Sequence, residues 1–263
     1  MESLSLYEIA GVLGGKLINC DKDIIFKGIC TNISKIRKDN LYIALVNSGY
    51  DCTNLIKTAI AKGAAAAIVP REAACELPHM VIRGTRTAFR QLCKFYRNKF
   101  NIPVIAITGS CGKTSTKDMI ASVLRQRYKN VFSNPQSYNT ISTIVPKILG
   151  LNSKVQAGVL EIGFSGYYGQ IQRMVNIVRP SIAVITNIST GHFRYLCSKE
   201  NIFKAKMEIA SYLKKDNILI INGDDPFLST IKDKPYRIIR TSLKPLIRIE
   251  KYWYLATCLR LEG

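Results

Sequence analysis

From Val104 onward the chain repeats one pattern: a short, near-continuous apolar run followed by a stretch of helical period. The runs cover 104–108, 157–162, 181–188 and 217–221. Such runs belong to strands buried on both faces, which requires helices on both sides of a parallel sheet. Helical candidates fall between and after them at 114–128, 140–149, 169–178 and 199–214. This βαβ rhythm predicts a doubly wound, mostly parallel-sheet α/β domain over residues 103–244.

The first 84 residues read as a separate, small α/β domain. Ser5 is placed to cap a helix that runs to Leu13 and stops at Gly14-Gly15. Strand-like runs follow at 24–29, 41–46, 64–69 and 80–83, with a helix at 53–62 that ends at Gly63. Thr85 is placed to cap a basic amphipathic helix over 88–100, so that 85–102 connects the two domains. Residues 245–263 read as a tail.

Composition narrows the class. Of the 263 residues 47% are hydrophobic and 21% charged, which excludes wholesale disorder. No apolar run approaches the roughly 18 residues of a membrane span. The N-terminus carries Glu2 and Glu8 and no cationic segment ahead of an apolar stretch, so a cytoplasmic protein is expected. The eight cysteines are scattered without C-x-x-C spacing, which argues against zinc sites and redox motifs and suggests mostly small buried hydrophobes. The formal net charge is +20, and eleven basic residues stand against the single acid Asp118 between Arg83 and Lys129. Such a stripe fits nucleic acid, an anionic membrane surface, an anionic small substrate or a plain solvated surface. The lack of an aromatic-interleaved Gly/Arg motif argues against nucleic acid.

The most specific signal follows the first apolar run: Gly109, Ser110, Cys111, Gly112, Lys113, Thr114 and Ser115. A glycine-rich turn between a buried strand and a helix aims backbone N–H groups and the positive helix end at one point, which suits a phosphate. Lys113 adds a charge for the β/γ-phosphates, and the Thr114 hydroxyl is a ligand for Mg²⁺. The usual G-x-x-x-x-G-K-[ST] pattern has a glycine where this chain has Ile107.

The stretch TGSCGKTSTKDMI resembles the ATP loop of the Mur ligases, and further segments follow in that family's order. Ser137-Tyr138-Asn139-Thr140 is similar to the segment between nucleotide and acceptor substrate, which makes Asn139 and Thr140 substrate-binding candidates. Glu161-Ile162-Gly163 resembles the family's E-[LM]-G, whose glutamate binds Mg²⁺. Thr186-Asn187-Ile188 with His192 resembles T-N-I-x-x-x-H, where the histidine approaches a second metal. The stretch at 203–209 is similar to the segment whose second lysine, here Lys206, becomes carbamylated in many members. A desolvated lysine has a lowered pKa and reacts with CO₂ as the neutral amine.

The resemblance implies a small N-terminal domain for a UDP-linked substrate and a P-loop ATPase domain using ATP and Mg²⁺. It also implies a ligase that activates a UDP-muramoyl peptide carboxylate as an acyl phosphate for attack by D-Ala-D-Ala in peptidoglycan synthesis. Lys113, Glu161, His192 and Lys206 would carry the chemistry, with Thr114, Glu161, His192 and Lys206 serving the metals. The alternative is a non-catalytic ATP- or UDP-substrate-binding protein, or a related ligase with other substrates. Departures bear on that choice. Thr31-Asn32-Ile33-Ser34 stands where the family has T-D-[ST]-R, and Asp51-Cys52-Thr53 where it has D-G-H. Gln170 replaces a glutamate, Thr143 replaces a glycine, and little sequence follows Asn222-Gly223-Asp224-Asp225-Pro226 for the family's C-terminal domain, so an incomplete copy is expected.

Overall fold

Ser5 caps the first helix as its position predicts: its hydroxyl accepts from the Glu8 N–H, and Gly14 closes the helix in the left-handed conformation at φ 69°. The computed structural model describes residues 1–46, 53–73, 75–135, 138–164, 166–190 and 196–243. The chain divides into two units, Met1–Asn101 with Val145–Ser153, and Ile102–Ile144 with Lys154–Gly263.

The first unit contains β1 (Leu4–Ser5), α1 (Leu6–Leu13), β2 (Lys16–Ile18), β3 (Ile25–Phe26), β4 (Gly28–Cys30), β5 (Asn40–Ile43), α2 (Thr53–Ala61), β6 (Ala66–Val69), β7 (His79–Val81) and α3 (Thr85–Asn98). Five strands form one sheet in the order β2-β7-β6-β5-β4, parallel except for β2, while β1 and β3 pair separately. The core against α2 is built from Tyr42, Ala44, Ile56, Ala59, Ala67 and Val69. The run expected at 24–29 is broken into β3 and β4. Thr85 lies inside α3 and does not cap it: Gly84 is the N-cap, and the Thr85 hydroxyl donates to the Val46 carbonyl at 3.4 Å. Among the family departures, Asn32 accepts from the Ser34 N–H at 3.0 Å and so performs the turn-capping work of a carboxylate. Asp51 and Cys52 lie outside the described residues.

The second unit contains β8 (Val104–Thr108), α4 (Lys113–Arg127), β9 (Val131–Ser133), β10 (Ala157–Glu161), α6 (Gln170–Val178), β11 (Ile182–Ile185), α7 (Lys199–Met207), β12 (Ile218–Asn222) and β13 (Arg237–Thr241); α5 (Ile141–Ile148) straddles the boundary. Its six strands are all parallel, in the order β13-β12-β11-β8-β10-β9. This is the expected doubly wound sheet. β8 is central, the chain goes out to β9, returns to β10 on one side of β8, and then crosses to β11 on the other. That reversal opens a crevice at the carboxyl ends of β10, β8 and β11, where such sheets bind ligands.

The strand residues Ile107, Val159 and Val184 pack against Ala121 of α4. The helix expected over 199–214 ends at Met207 and tightens into a 3-10 turn over Glu208–Ala210. No helix among the described residues is long and apolar enough to cross a membrane. Residues 245–263 lie outside the described residues.

Candidate functional site

Three strand ends build the site. β8 delivers the loop 109–112 and α4 begins at Lys113. Gly109 has φ 153° and Gly112 φ 78°, and a Cβ at Gly109 would collide with the Thr186 hydroxyl, so glycine is required there. The first N–H of α4 with an intrahelical partner is that of Thr116, which donates to the Gly112 carbonyl at 2.9 Å. The N–H groups of the turn before it, 112–115, are the donors a helix start presents to an anion. Lys113 folds back, its Nζ donating to the carbonyls of Gly109 at 3.0 Å and Ser110 at 3.1 Å.

β10 ends in Glu161, which is 1% exposed. Its two carboxylate oxygens accept from neutral donors: Oε2 from the Thr114 hydroxyl at 2.7 Å and Oε1 from the Asn139 amide at 2.6 Å. A Cβ at Gly163 would strike the Asn139 side chain, so glycine at this position admits Asn139 to the carboxylate. Burying a carboxylate without a cation is expensive, and no Lys or Arg pairs with Glu161 among the described residues. A hydroxyl and a carboxylate side by side are the hard oxygen donors that Mg²⁺ prefers. Among the described residues no group of three or more His, Cys, Asp and Glu could hold a metal ion.

Behind Glu161 stands Asn134, fully buried just after β9. Its Oδ1 accepts from the Glu161 N–H at 2.9 Å and its Nδ2 donates to the Glu161 carbonyl at 3.1 Å. The buried Lys117 Nζ donates to the Asn134 carbonyl at 2.9 Å and pairs with Asp118 at 3.1 Å. At the start of α5, Thr143 Oγ1 accepts from the Thr140 N–H at 3.1 Å and donates to the Thr140 carbonyl at 3.0 Å, a use for the threonine that stands at the family's glycine, while the Thr140 hydroxyl meets those of Ser142 and Thr143.

α7 supplies Lys206, 2% exposed. Burial pushes its ammonium down to about 8, and the nearby Lys113 charge pushes the same way. Glu208 does not pair with it; its carboxylate accepts from the Gly169 N–H at 2.5 Å and the Gln172 N–H at 3.2 Å at the start of α6. His192 lies outside the described residues, as do Gly191 and Ser137.

Beside the loop a cavity of about 440 Å³ opens between α4 and the ends of β11, β12 and β13, lined in part by Thr116, Ile120, Thr186, Asn222, Asp224 and Ser242.

The sequence profile of the Mur ligase middle domain matches residues 107–254. The chain belongs to the Mur ligase family. It is 34% identical over 224 residues to the UDP-N-acetylmuramoyl-tripeptide--D-alanyl-D-alanine ligase of Bacillus subtilis, a match covering 84% of this chain and 49% of that protein. A crystal structure of MurF from Acinetobacter baumannii superposes with a TM-score of 0.81 at 27% identity, covering 91% of this chain and 53% of that one. MurF ligase from Thermotoga maritima in complex with ADP shares the fold, with a TM-score of 0.73 at 24% identity over 87% of this chain and 53% of that one. The chain spans about half the length of the curated relatives it matches.

Within this Mur ligase chain the loop 109–115, Asn139, Glu161 and Lys206 lie in the unit that holds the six-stranded, all-parallel sheet, and Thr140 precedes α5 in the same unit. Reasoning from sequence assigned no role to Asn134, Asn187 or the cavity residues Asn222 and Asp224. The last three lie in stretches already noted for their resemblance; Asn134 and Asn187 sit at strand ends, where a side-chain amide meets neighbouring backbone. One composition-based expectation is revised. Of the six cysteines described only Cys93 is buried, and Cys111 and Cys197 are exposed. The basic stripe is divided between the two units, with Arg97 and Lys117 buried.

Proposed function

We propose that this chain binds ATP and Mg²⁺ at the crevice of its parallel sheet and serves an ATP-dependent ligation in peptidoglycan synthesis. In that reaction a UDP-muramoyl peptide carboxylate becomes an acyl phosphate that D-Ala-D-Ala attacks. The observation that carries the reading is the convergence of an open helix start, a loop lysine and a buried carboxylate bonded only to neutral donors. The acid and amine are those named for the Bacillus subtilis relative, and residues 1–84 would serve the UDP-linked substrate.

The N–H groups of 112–115 would hold the β- and γ-phosphates. Lys113 would leave the carbonyls of Gly109 and Ser110 to meet them, stabilising charge on the transferring phosphoryl group. Thr114 and Glu161 fit Mg²⁺, with His192 and Lys206 serving a second ion; Mg²⁺ bound there supplies charge neutralisation at the phosphates. Asn139 holds Glu161 from one side, Thr140 fixes the segment that carries Asn139, and base and ribose would extend into the cavity by Asn222. Lys206, already easily neutralised, is suited to carbamylation, which would turn a buried cation into an anion beside the metal.

Phosphate release with ATP, UDP-muramoyl tripeptide and D-Ala-D-Ala tests the reading, with Lys113→Ala as control. Substrate-dependent release that Lys113→Ala abolishes is expected. ATP binding without such release would overturn the ligase reading and leave a nucleotide-binding protein. Unchanged ATP affinity in a folded Lys113→Ala variant would overturn the loop assignment.

A further inference from the structure

The phosphate loop of this chain is short. Ile107, at the place where longer loops have their first glycine, is locked into the core as part of β8. Only 109–112 separate the strand from α4, and a turn that tight has little internal hydrogen bonding to hold it. The support comes from the end of β11. The Asn187 side chain brackets Cys111: Oδ1 accepts from the Cys111 N–H at 3.0 Å and Nδ2 donates to the Cys111 carbonyl at 3.2 Å. The backbone of Asn187 accepts from the Ser110 N–H at 3.0 Å. On either side, Thr186 Oγ1 donates to the Cys111 carbonyl at 2.6 Å, and the Ser189 N–H donates to Ser110 Oγ at 2.9 Å.

We propose that Asn187 is the positioning residue of the phosphate loop: its amide acts as a missing stretch of backbone, holding Cys111 so that the N–H groups of 112–115 converge on one anion. This rests on the nucleotide reading above. Two consequences follow from the geometry. The N–H groups of Ser110 and Cys111 are already committed to Asn187, so the phosphates are left to the helix start and Lys113. Moreover, the Ser189 N–H is held in turn by Ser110 Oγ, so the loop and the segment after β11 fix one another.

The test compares wild type with Asn187→Ala and Asn187→Asp, the latter keeping an acceptor for the Cys111 N–H while removing the donor to its carbonyl. Circular dichroism establishes that each variant is folded. Calorimetry with Mg²⁺ should show ATP and ADP binding weakened about tenfold or more, as expected for loss of one or two hydrogen bonds. AMP, without a β-phosphate, should bind as to wild type. In the unliganded protein, iodoacetamide should alkylate Cys111 several-fold faster in Asn187→Ala, with exposed Cys197 unchanged as the internal reference. Equal ATP affinity in wild type and variants would overturn the proposal, and so would equal loss for ATP and AMP, which marks general damage. If wild type itself binds no nucleotide, the nucleotide reading fails, and the Cys111 alkylation rate still decides whether Asn187 holds the loop.

Discussion

Burying Lys206 takes a protonated amine out of water next to the positive Lys113, and the folded protein carries that cost wherever the amine is charged. The folded value lies near 8 against 10.5 in water, so between these two pH values the unfolded chain holds a proton that the folded chain has released. Stability therefore rises with pH across this window, and the penalty is fully present below about 8. Lys206→Met should raise stability at pH 7 by on the order of 2 kcal/mol and flatten the rise towards pH 10. Urea unfolding at pH 7 and pH 9.5 measures both; an unchanged slope would show that another group titrates there. The type and spacing of Lys113, Thr114 and Glu161 made them legible in the sequence, because phosphate and Mg²⁺ chemistry needs those groups after a buried strand. The burial of Lys206 was not, since it depends on how α7 packs.

At the scale of elements, the long apolar runs identified the central strands and the helices between them. Short edge strands escaped: β9 has only three residues, and β13 reads RIIRT, with charges at both ends of its apolar pair. The role of Asn134 escaped for a related reason. It depends on β9 pairing in parallel with β10, which brings the residue after one strand beside the last residue of the other. In that position the amide replaces a further rung of the ladder, bonding both the N–H and the carbonyl of Glu161. Asn134→Ala leaves these buried groups unpaired and should cost roughly 1–3 kcal/mol. It should also weaken the Mg²⁺ dependence of ADP binding, because Glu161 loses its anchor. Urea titration and calorimetry at varied Mg²⁺ check the two effects, and a stable variant with unaltered Mg²⁺ dependence would leave Asn134 as packing alone.

At the scale of the molecule, the sequence separated a small N-terminal α/β region from the parallel-sheet region, yet Val145–Ser153, the end of α5 and the residues after it, groups with the N-terminal unit. No local pattern marks that exchange, because the tie is between distant residues: the Tyr96 hydroxyl donates to the Leu151 carbonyl at 2.6 Å, and the Ser153 N–H donates to the Glu2 carboxylate at 2.7 Å. Every nucleotide contact proposed above lies in the other unit. A ligand stabilises the state it binds by RT ln(1 + [L]/Kd), about 2.7 kcal/mol at one hundred times Kd, and hydrogen exchange reports where that energy appears. With saturating ATP and Mg²⁺, amide protection should rise in β8, β10 and β11 and stay unchanged in β5, β6 and β7. An equal rise in both sheets would show that the two units open as one cooperative block, and a rise confined to the N-terminal sheet would place the nucleotide in the wrong unit.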